Sequence, residues 1–301
     1  SPRRRSVAEM LVPLALRHRQ WAFVLGAPLA FALVALRKKS VNKSGAVGGF
    51  LVALACSMAG AQFLAALLWF FVSSTLLTRF GSKRKKQVEE DYKVGGQRSA
   101  IQVFSNALAG TVACVLWVVW DGAPQPLLVG VFLGHFACCC GDTWASEMGV
   151  AFTREGFSFW SQPFLITTFQ AVPPGTNGGV SVVGTLASVM GGLSVGVVFA
   201  LSAPGASVAS VVACGAYGAA AGFGGSMIDS VLGATLQFSG VDRCGRVFNF
   251  PEEGVRHICG ENILDNHQVN LVSSTATALL LGAMCAWGDH TLIDDEWYLA
   301  T

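Results

Sequence analysis

Long runs of apolar residues, separated by short polar segments, constrain this chain more than any other feature of its sequence. A helix that crosses a hydrocarbon layer of about 30 Å needs about 20 apolar residues, because its backbone groups must be bonded within the segment. The runs of this kind are 20–36, 45–61, 63–78, 101–120, 126–141, 180–201, 207–237 and 269–287. The sequence therefore predicts an all-α protein, a polytopic integral membrane bundle of about eight transmembrane helices.

Some of these spans are predicted to be short or broken. Little more than Gln62 separates the second run from the third, which is typical of a tight hairpin or of a re-entrant pair. Glycines at Gly141 and at Gly224-Gly225 favour breaks in the fifth and seventh runs. We predict a single membrane domain over 20–287, preceded by a basic segment over 1–19 that is consistent with a targeting remnant, and followed by an acidic tail over 288–301.

The composition excludes several classes of protein. Hydrophobic residues make up 52% of the chain and charged residues 13%, whereas a soluble domain carries roughly 25% charged residues. The formal net charge of +2 gives no sign of a polyanionic partner such as nucleic acid. The nine cysteines fall mostly within or beside apolar runs, so we interpret them as reduced packing residues and not as a disulfide framework.

Basic residues predict the orientation of the chain. They concentrate after the first and third runs, at Arg37, Lys38, Lys39 and Lys43, and at Arg79, Lys83, Arg84, Lys85, Lys86, Lys93 and Arg98. The positive-inside rule places these loops on the cytosolic-type side, and alternation places the loops 142–179 and 238–268 there too. The arginines of the N-terminal segment disagree with this orientation, so either that segment is a targeting remnant or one span is miscounted.

Small residues spaced by four predict close helix packing. Such ladders are Gly184, Ser188 and Gly192 in the sixth run, and Gly218, Gly222, Ser226 and Ser230 in the seventh. Small side chains let helix backbones approach each other in a membrane. We therefore expect these two helices to pack through their ladders.

Three carboxylates are the leading candidates for chemistry. Asp142 and Glu147 lie where the fifth run meets a polar loop, and Asp229 lies within the seventh run. Acidic residues at membrane depth are costly and usually mark functional sites. Hard oxygen donors at a membrane edge suit Mg²⁺ shared with phosphate, so we predict that all three are catalytic and bind the metal. The alternative is a role in helix capping or pairing.

A glycine-rich loop and three basic residues are the candidates for binding phosphate. Gly175, Thr176, Asn177, Gly178 and Gly179 precede the sixth run, where exposed amides and a helix N-terminus can form an anion site. The same residues are also ordinary turn formers. Arg98, Lys43 and Arg256 are predicted to neutralise phosphate charge. Polar stripes at Gln102 and Asn106, and at Asn266, Asn270, Ser273 and Thr277, either join helices or line a cavity.

Several of these segments together resemble one family. They are Gly141 to Glu147, Leu165 to Thr168, Val172 to Val180, Ile228 to Thr235, Arg256 to Ile258 and Ile263 to Asn266, with Tyr92-Lys93 and Gly95 to Arg98. In these segments the chain resembles the transmembrane protein 19 family, also known as domain of unknown function 92, from about Leu36 to Trp287. The family's plastid relatives include a phytyl-phosphate kinase. Asn177 after Thr176, and Trp144, make the chain look closer to the transmembrane protein 19 branch.

The resemblance implies a membrane enzyme that converts an isoprenyl monophosphate to its diphosphate. Our leading hypothesis is therefore a lipid-phosphate kinase acting on a phytyl or polyprenyl monophosphate, with Mg²⁺ and with CTP or ATP as the phosphoryl donor. Its membrane is expected to be the endoplasmic reticulum or another endomembrane, with the plastid envelope as the alternative. The rival hypothesis is a multi-pass transporter or channel, whose path the same acids and asparagines would line. A purely structural protein is a third reading.

Overall fold

The computed structural model describes residues 7–88, 97–120, 125–153 and 160–287, and the side chains of these residues except 7–20 and 83–88. Within these ranges the helices are α1 (Val7–Arg37), α2 (Lys43–Ala59), α3 (Ala61–Val88), α4 (Ala100–Ser105), α5 (Leu108–Val119), α6 (Gln125–Ala151), α7 (Val182–Leu201), α8 (Val208–Leu236) and α9 (Asn266–Trp287). The strands are β1 (Phe164–Leu165), β2 (Gly179–Val180), β3 (Ser239–Val241), β4 (Val247–Phe248) and β5 (Arg256–Cys259). The N-terminal arginines and the acidic tail lie outside the described residues.

Each of the eight apolar runs contains helix, which confirms a helical membrane protein. Among the described residues, five helices are long and apolar enough to cross a membrane: 61–82, 125–151, 182–201, 208–236 and 266–287. Three further apolar helices are shorter, at Trp21–Arg37, Lys43–Ala59 and Leu108–Val119. The five long spans are thus part of the predicted set of eight, and the apolar helical stretches in the other three runs are shorter.

The predicted helix breaks are wrong. Helices α6 and α8 run without interruption through Gly141 and through Gly224-Gly225. The break lies in the fourth run, where Asn106 and Ala107 separate α4 from α5. Helix α4 begins with a capping box between Ser99 and Gln102, and Asn106 ends it with a side chain that bonds back to the Gln102 carbonyl oxygen at 2.9 Å. Local polar bonding, which competes with helix continuation, therefore separates these helices.

Helix α6 lies at the centre of the bundle. Of its span, 72% is buried, against 39–50% for the other four long spans. Phe132 on α6 packs edge to face on Phe63 of α3, with ring centroids 4.8 Å apart, and lies 5.6 Å from the ring of Phe199 on α7. A helix that is apolar on all sides is stable only when neighbours surround it, as they do here.

The glycines in α6 serve close packing. A Cβ at Gly141 would lie 2.7 Å from the Gly222 Cα and 2.8 Å from the Ser188 carbonyl oxygen. A Cβ at Gly192 would collide with the carbonyl oxygen of Gly218. The predicted ladders on α7 and α8 are therefore confirmed as packing surfaces, with α6 joining them through Gly141.

Two small antiparallel sheets lie in the loops of the bundle, which is mostly helical as predicted. Strands β1 and β2 pair within the loop before α7, and β3 pairs with both β4 and β5 in the loop before α9. The two loops touch, since the Asn177 amide nitrogen donates to Ser239 Oγ at 3.0 Å. At the same end of the bundle, the Arg98 amide donates to the Ser40 carbonyl oxygen at 3.1 Å. The loops predicted to share one side of the membrane thus meet at one end of the fold.

Candidate functional site

A cavity of about 800 Å³ opens among these loops and the adjoining helix ends. Nine of the predicted site residues line it: Asp142, Glu147, Asp229, Arg98, Gly175, Thr176, Asn177, Gly178 and Gly179. Helices α6 and α8 contribute the carboxylates, the segment before α4 contributes the arginine, and the loop before α7 contributes the glycines. The fold therefore brings together residues that lie up to 131 positions apart, from Arg98 to Asp229, in one concave site.

Two of the carboxylates lie at one end of the cavity, between α6, α8 and α9. Ser226 Oγ on α8 donates to Asp142 Oδ1 at 3.4 Å, and Ser273 Oγ on α9 donates to Asp229 Oδ2 at 2.8 Å. Ser226 and Asp229 are three residues apart and share one face of α8, one helical turn from each other. Asp142 and Asp229 therefore face the same part of the cavity.

Glu147 and Arg98 form a separate pair against α3. Thr78 Oγ1 donates to Glu147 Oε1 at 2.9 Å, and Arg98 Nη1 donates to Thr75 Oγ1 at 2.9 Å. The guanidinium also lies 5.0 Å from the ring centroid of Phe71, a cation–π distance. Burial lowers the pKa of Arg98, and the negative charge of Glu147 opposes that shift. An arginine remains protonated in proteins, so this cation is partly stripped of water and faces a carboxylate.

The predicted metal site of three carboxylates is not assembled. Among the side chains that the structure describes, no group of three or more His, Cys, Asp or Glu residues is arranged to hold a metal ion. Helix α6 explains the separation, because Asp142 and Glu147 are five residues apart on a continuous helix and point about 140° apart. Both still reach the cavity because it extends around the end of this central helix.

The end with two carboxylates carries oxygen donors of the kind that Mg²⁺ prefers. The donors there are carboxylate and hydroxyl oxygens, from Asp142, Asp229, Ser226 and Ser273. Mg²⁺ is usually held by one or two carboxylates together with substrate phosphates and water, not by an all-protein cage. Asp142 and Asp229 are therefore the residues that would hold the ion, and Glu147 is not among them.

The glycine-rich loop lines the cavity, but it differs from the predicted set of exposed amides. The amides of Thr176 and Gly179 donate to the carbonyl oxygens of Pro173 and Thr176, at 3.2 and 3.0 Å. The amide of Asn177 donates to Ser239. Gly175 and Gly178 have φ values of +88° and +75°, which glycine adopts without strain. Two consecutive turns therefore use much of the predicted donor capacity, and the loop serves as a rigid wall.

Two predicted phosphate-binding residues lie away from the cavity. Lys43 is exposed at the first position of α2, and Arg256 is exposed in β5, where it pairs with Val241. Neither residue lines the cavity. They were predicted to bind phosphate because they lie near motif segments in the sequence. In the fold, the helix that carries Lys43 and the strand that carries Arg256 leave both side chains outside the cavity.

The polar stripes line the cavity and also join helices. Asn270 Nδ2 on α9 donates to Asn106 Oδ1 at 3.2 Å, and both side chains line the cavity.

Sequence reasoning missed Thr75 and Thr78 on α3, which orient Arg98 and Glu147. Thr75 follows Ser73 and Ser74, and Thr78 lies one turn further along α3. Hydroxyl residues in an apolar helix form no recognisable motif, so only the fold reveals these roles. It also missed further lining residues, namely Gln237, Asn249 and His267.

Beside Arg98, whose guanidinium lies over the ring of Phe71, apolar residues line one part of the cavity, which we call the apolar branch. This apolar branch is lined by Phe31, Ala32 and Ala35 of α1, Gly45, Ala46, Gly49 and Val52 of α2, Leu67, Phe70 and Phe71 of α3, and Val103 and Ala107 near the α4–α5 break. Several of these residues are small, which keeps space open between the helices. One continuous cavity therefore joins a carboxylate-rich end to an apolar end.

Comparison with known proteins places the chain in a family. The model of the family described as integral membrane protein DUF92 matches residues 26–278. The chain belongs to the DUF92 family. All of the predicted site residues fall within the matched segment, including the two that lie outside the cavity. The resemblance inferred from the motif segments is confirmed.

Three relatives of this DUF92 chain differ in how much of it they match. Protein PGR of Arabidopsis thaliana is 39% identical over 278 residues, which cover 86% of this chain and 93% of the relative. An uncharacterized membrane protein of Synechocystis is 36% identical over 58% of the chain and 63% of its own length. Protein VTE6, chloroplastic, of Arabidopsis thaliana is 30% identical over 56% of the chain and 47% of its own length. No solved structure matches the chain.

Proposed function

We propose that this DUF92 protein is a membrane-embedded lipid-phosphate kinase. It would transfer the terminal phosphoryl group of a nucleoside triphosphate, CTP or ATP, to an isoprenyl monophosphate such as phytyl or polyprenyl monophosphate. A phosphate oxygen of the lipid attacks the terminal phosphorus, the bond to the nucleoside diphosphate breaks, and the lipid diphosphate forms. Such a reaction depends mainly on positioning and charge neutralisation and needs little covalent chemistry from the protein.

The observation that carries the proposal is the joining of polar and apolar regions in one cavity. An isoprenyl phosphate is charged at one end and apolar along the rest. The cavity has the same division, and Arg98 is close to both kinds of residue, since it faces Glu147 and its guanidinium lies over the ring of Phe71. A guanidinium there would neutralise the lipid phosphate, while the tail would occupy the apolar branch.

The carboxylate end is suited to the nucleotide. Asp142 and Asp229 would hold Mg²⁺, which supplies neutralisation of the phosphate oxygens when bound. Asn106 and Asn270 lie beside them and would donate hydrogen bonds to the nucleotide. The glycine-rich loop over 175–179 would close the wall around the phosphates. Glu147, held by Thr78, would orient Arg98 through its charge.

The comparisons support the proposal at the level of the family. The chain shares the DUF92 family with protein VTE6, and its motif segments resemble a family whose plastid relatives include a phytyl-phosphate kinase. The name of protein PGR, which has the greater identity, states no activity. The reaction must therefore be tested on this chain itself.

The decisive experiment is a phosphorylation assay with purified protein in lipid nanodiscs. Geranylgeranyl or phytyl monophosphate is supplied with Mg²⁺ and with CTP or ATP labelled at the terminal phosphate. We expect labelled lipid diphosphate from the wild type and none from Asp142→Asn or Asp229→Asn. The control is Asp242→Asn, because Asp242 bonds Arg246 in an exposed turn away from the cavity and its loss should leave turnover intact.

The transporter hypothesis makes the opposite prediction in this assay. Helices broken near Gly141 and Gly224-Gly225 would also have fitted that hypothesis, but those helices are continuous. Absence of diphosphate product from folded protein, with both nucleotides and both lipids, would refute the kinase. Ion flux in liposomes that is lost in Asp229→Asn would then identify a transport path.

We propose a plastid membrane as the location. The protein is an integral membrane protein, and one of its relatives is named as chloroplastic. The comparisons give no support to the endoplasmic reticulum, the first prediction from the sequence. Immunogold labelling in the cells that produce the protein tests this, and label on the endoplasmic reticulum would contradict it.

A further inference from the structure

Gly49 lies on the wall of the apolar branch at a position that leaves space for a long tail. A Cβ built on Gly49 meets no atom within 4 Å, unlike the tightly packed Gly141, Gly192 and Gly222 of α6, α7 and α8. Gly45, one turn earlier on the same face of α2, would place a Cβ against the backbone carbonyl of Arg98. Gly45 therefore packs against the segment that carries Arg98, whereas Gly49 borders open space.

The residues that line the cavity continue along α2 from Gly45, which packs on Arg98, through Gly49 to Val52. Arg98 stacks on Phe71, and Phe71 packs edge to face on Phe31 of α1 with centroids 4.9 Å apart. Val52, one turn beyond Gly49, also lines the branch and is almost fully buried, with 2% of its surface exposed. A tail whose phosphate lies at Arg98 would therefore pass Gly49 before reaching Val52.

We infer that the apolar branch between α1, α2, α3 and the α4–α5 break is the binding site for the substrate's tail, and that the missing side chain of Gly49 sets how long a tail fits. This inference rests on the proposed function, which supplies an isoprenyl monophosphate as the occupant. The occupant follows from the continuity of the branch with the cation at Arg98, since an apolar chain attached to a phosphate satisfies both regions at once. Specificity for chain length would then reside in α2 and not in the carboxylate end.

The first test compares two lipid lengths in two variants. Gly49→Leu fills the branch, and Gly26→Leu is the matched control, since Gly26 is also a helical glycine with no atom near its Cβ but lies outside the cavity. Both changes replace glycine by leucine in a helix, so both gain the same helix propensity. Any difference between them therefore reports on the branch.

For Gly49→Leu we expect kcat/KM for geranylgeranyl monophosphate to fall by about ten-fold or more, because filling an occupied apolar site is as costly as overpacking a core. Turnover of dimethylallyl monophosphate, with a single isoprene unit, should be unchanged, because its tail ends before Gly49. Gly26→Leu should match the wild type on both lipids. Equal kinetics of the Gly49→Leu and Gly26→Leu variants on both lipids, with active wild type, would overturn the inference and leave the kinase intact.

The second test does not depend on turnover. Wild-type protein is photolysed with geranylgeranyl monophosphate that carries a diazirine at the tail end, and the labelled peptides are identified by mass spectrometry. Labels on peptides of α1 to α3, near Phe31 and Phe70, support the inference even if no diphosphate forms. Labels confined to α7, α8 and α9 would overturn it, whatever the outcome of the kinase assay.

Discussion

Replacement of Arg98 by glutamine tests the charge that the structure places close to both Glu147 and the ring of Phe71. One of the five N–H donors of Arg98 bonds Thr75, and the guanidinium faces the cavity beside Glu147. Glutamine is similar in length but neutral. The backbone bonds of residue 98 to Ser40 and Asn42 do not use the side chain, so the local fold should survive.

The magnitude follows from the hydrogen bonds that Arg98 would make to the lipid phosphate. Hydrogen bonds to a charged group contribute about 1.5–3 kcal/mol. With 1.36 kcal/mol per factor of ten, Arg98→Gln should lower kcat/KM for geranylgeranyl monophosphate by about 10- to 150-fold. Burial should place the effect toward the upper end, because a partly desolvated cation attracts an anion more strongly.

The assay measures initial rates over a range of lipid concentrations in nanodiscs, with size-exclusion profiles to verify folding. Arg256→Gln is the matched control, since Arg256 is an exposed arginine away from the cavity. We expect its kcat/KM to equal that of the wild type. Full activity of the Arg98→Gln variant, or an equal loss in both variants, would refute the assignment of Arg98 to the lipid phosphate.

Three further predictions concern topology, packing and the metal. Cys244 is exposed, while Cys259 is buried and burial raises its pKa. A membrane-impermeant maleimide should therefore label Cys244 first, and only when added on the cytosolic-type face. Labelling of Cys244 from the opposite face would refute the orientation predicted by the positive-inside rule. Gly192→Ala should lower the thermal midpoint of unfolding by several degrees, because the new Cβ collides with the Gly218 backbone and overpacking costs about 1–3 kcal/mol. Gly26→Ala should not lower it, because no atom lies within 4 Å of a Cβ at Gly26. Chelation of Mg²⁺ by EDTA should abolish phosphorylation and added Mg²⁺ should restore it; unchanged turnover would exclude the metal role.

The sequence predicted the helical membrane architecture because the constraint that produces it is local. A backbone in hydrocarbon must bond to itself, so each apolar run becomes helix whatever surrounds it. The small-residue ladders of α7 and α8 were also readable, because a spacing of four places them on one helix face. The break at Asn106 was not predicted, since it arises from side-chain bonds to nearby backbone that a hydropathy pattern does not contain.

For the candidate site too, the sequence predicted some of the residues and the tertiary structure was needed for the others. The motif segments located Asp142, Asp229 and Arg98, because charged groups in apolar surroundings stand out in any sequence. Only the tertiary structure showed that α6 is unbroken, so that Glu147 points away from Asp142. It also placed Lys43 and Arg256 outside the cavity and revealed the roles of Thr75 and Thr78. Those outcomes depend on the direction in which a side chain leaves its helix or strand and on what packs opposite, and spacing along the chain does not determine either.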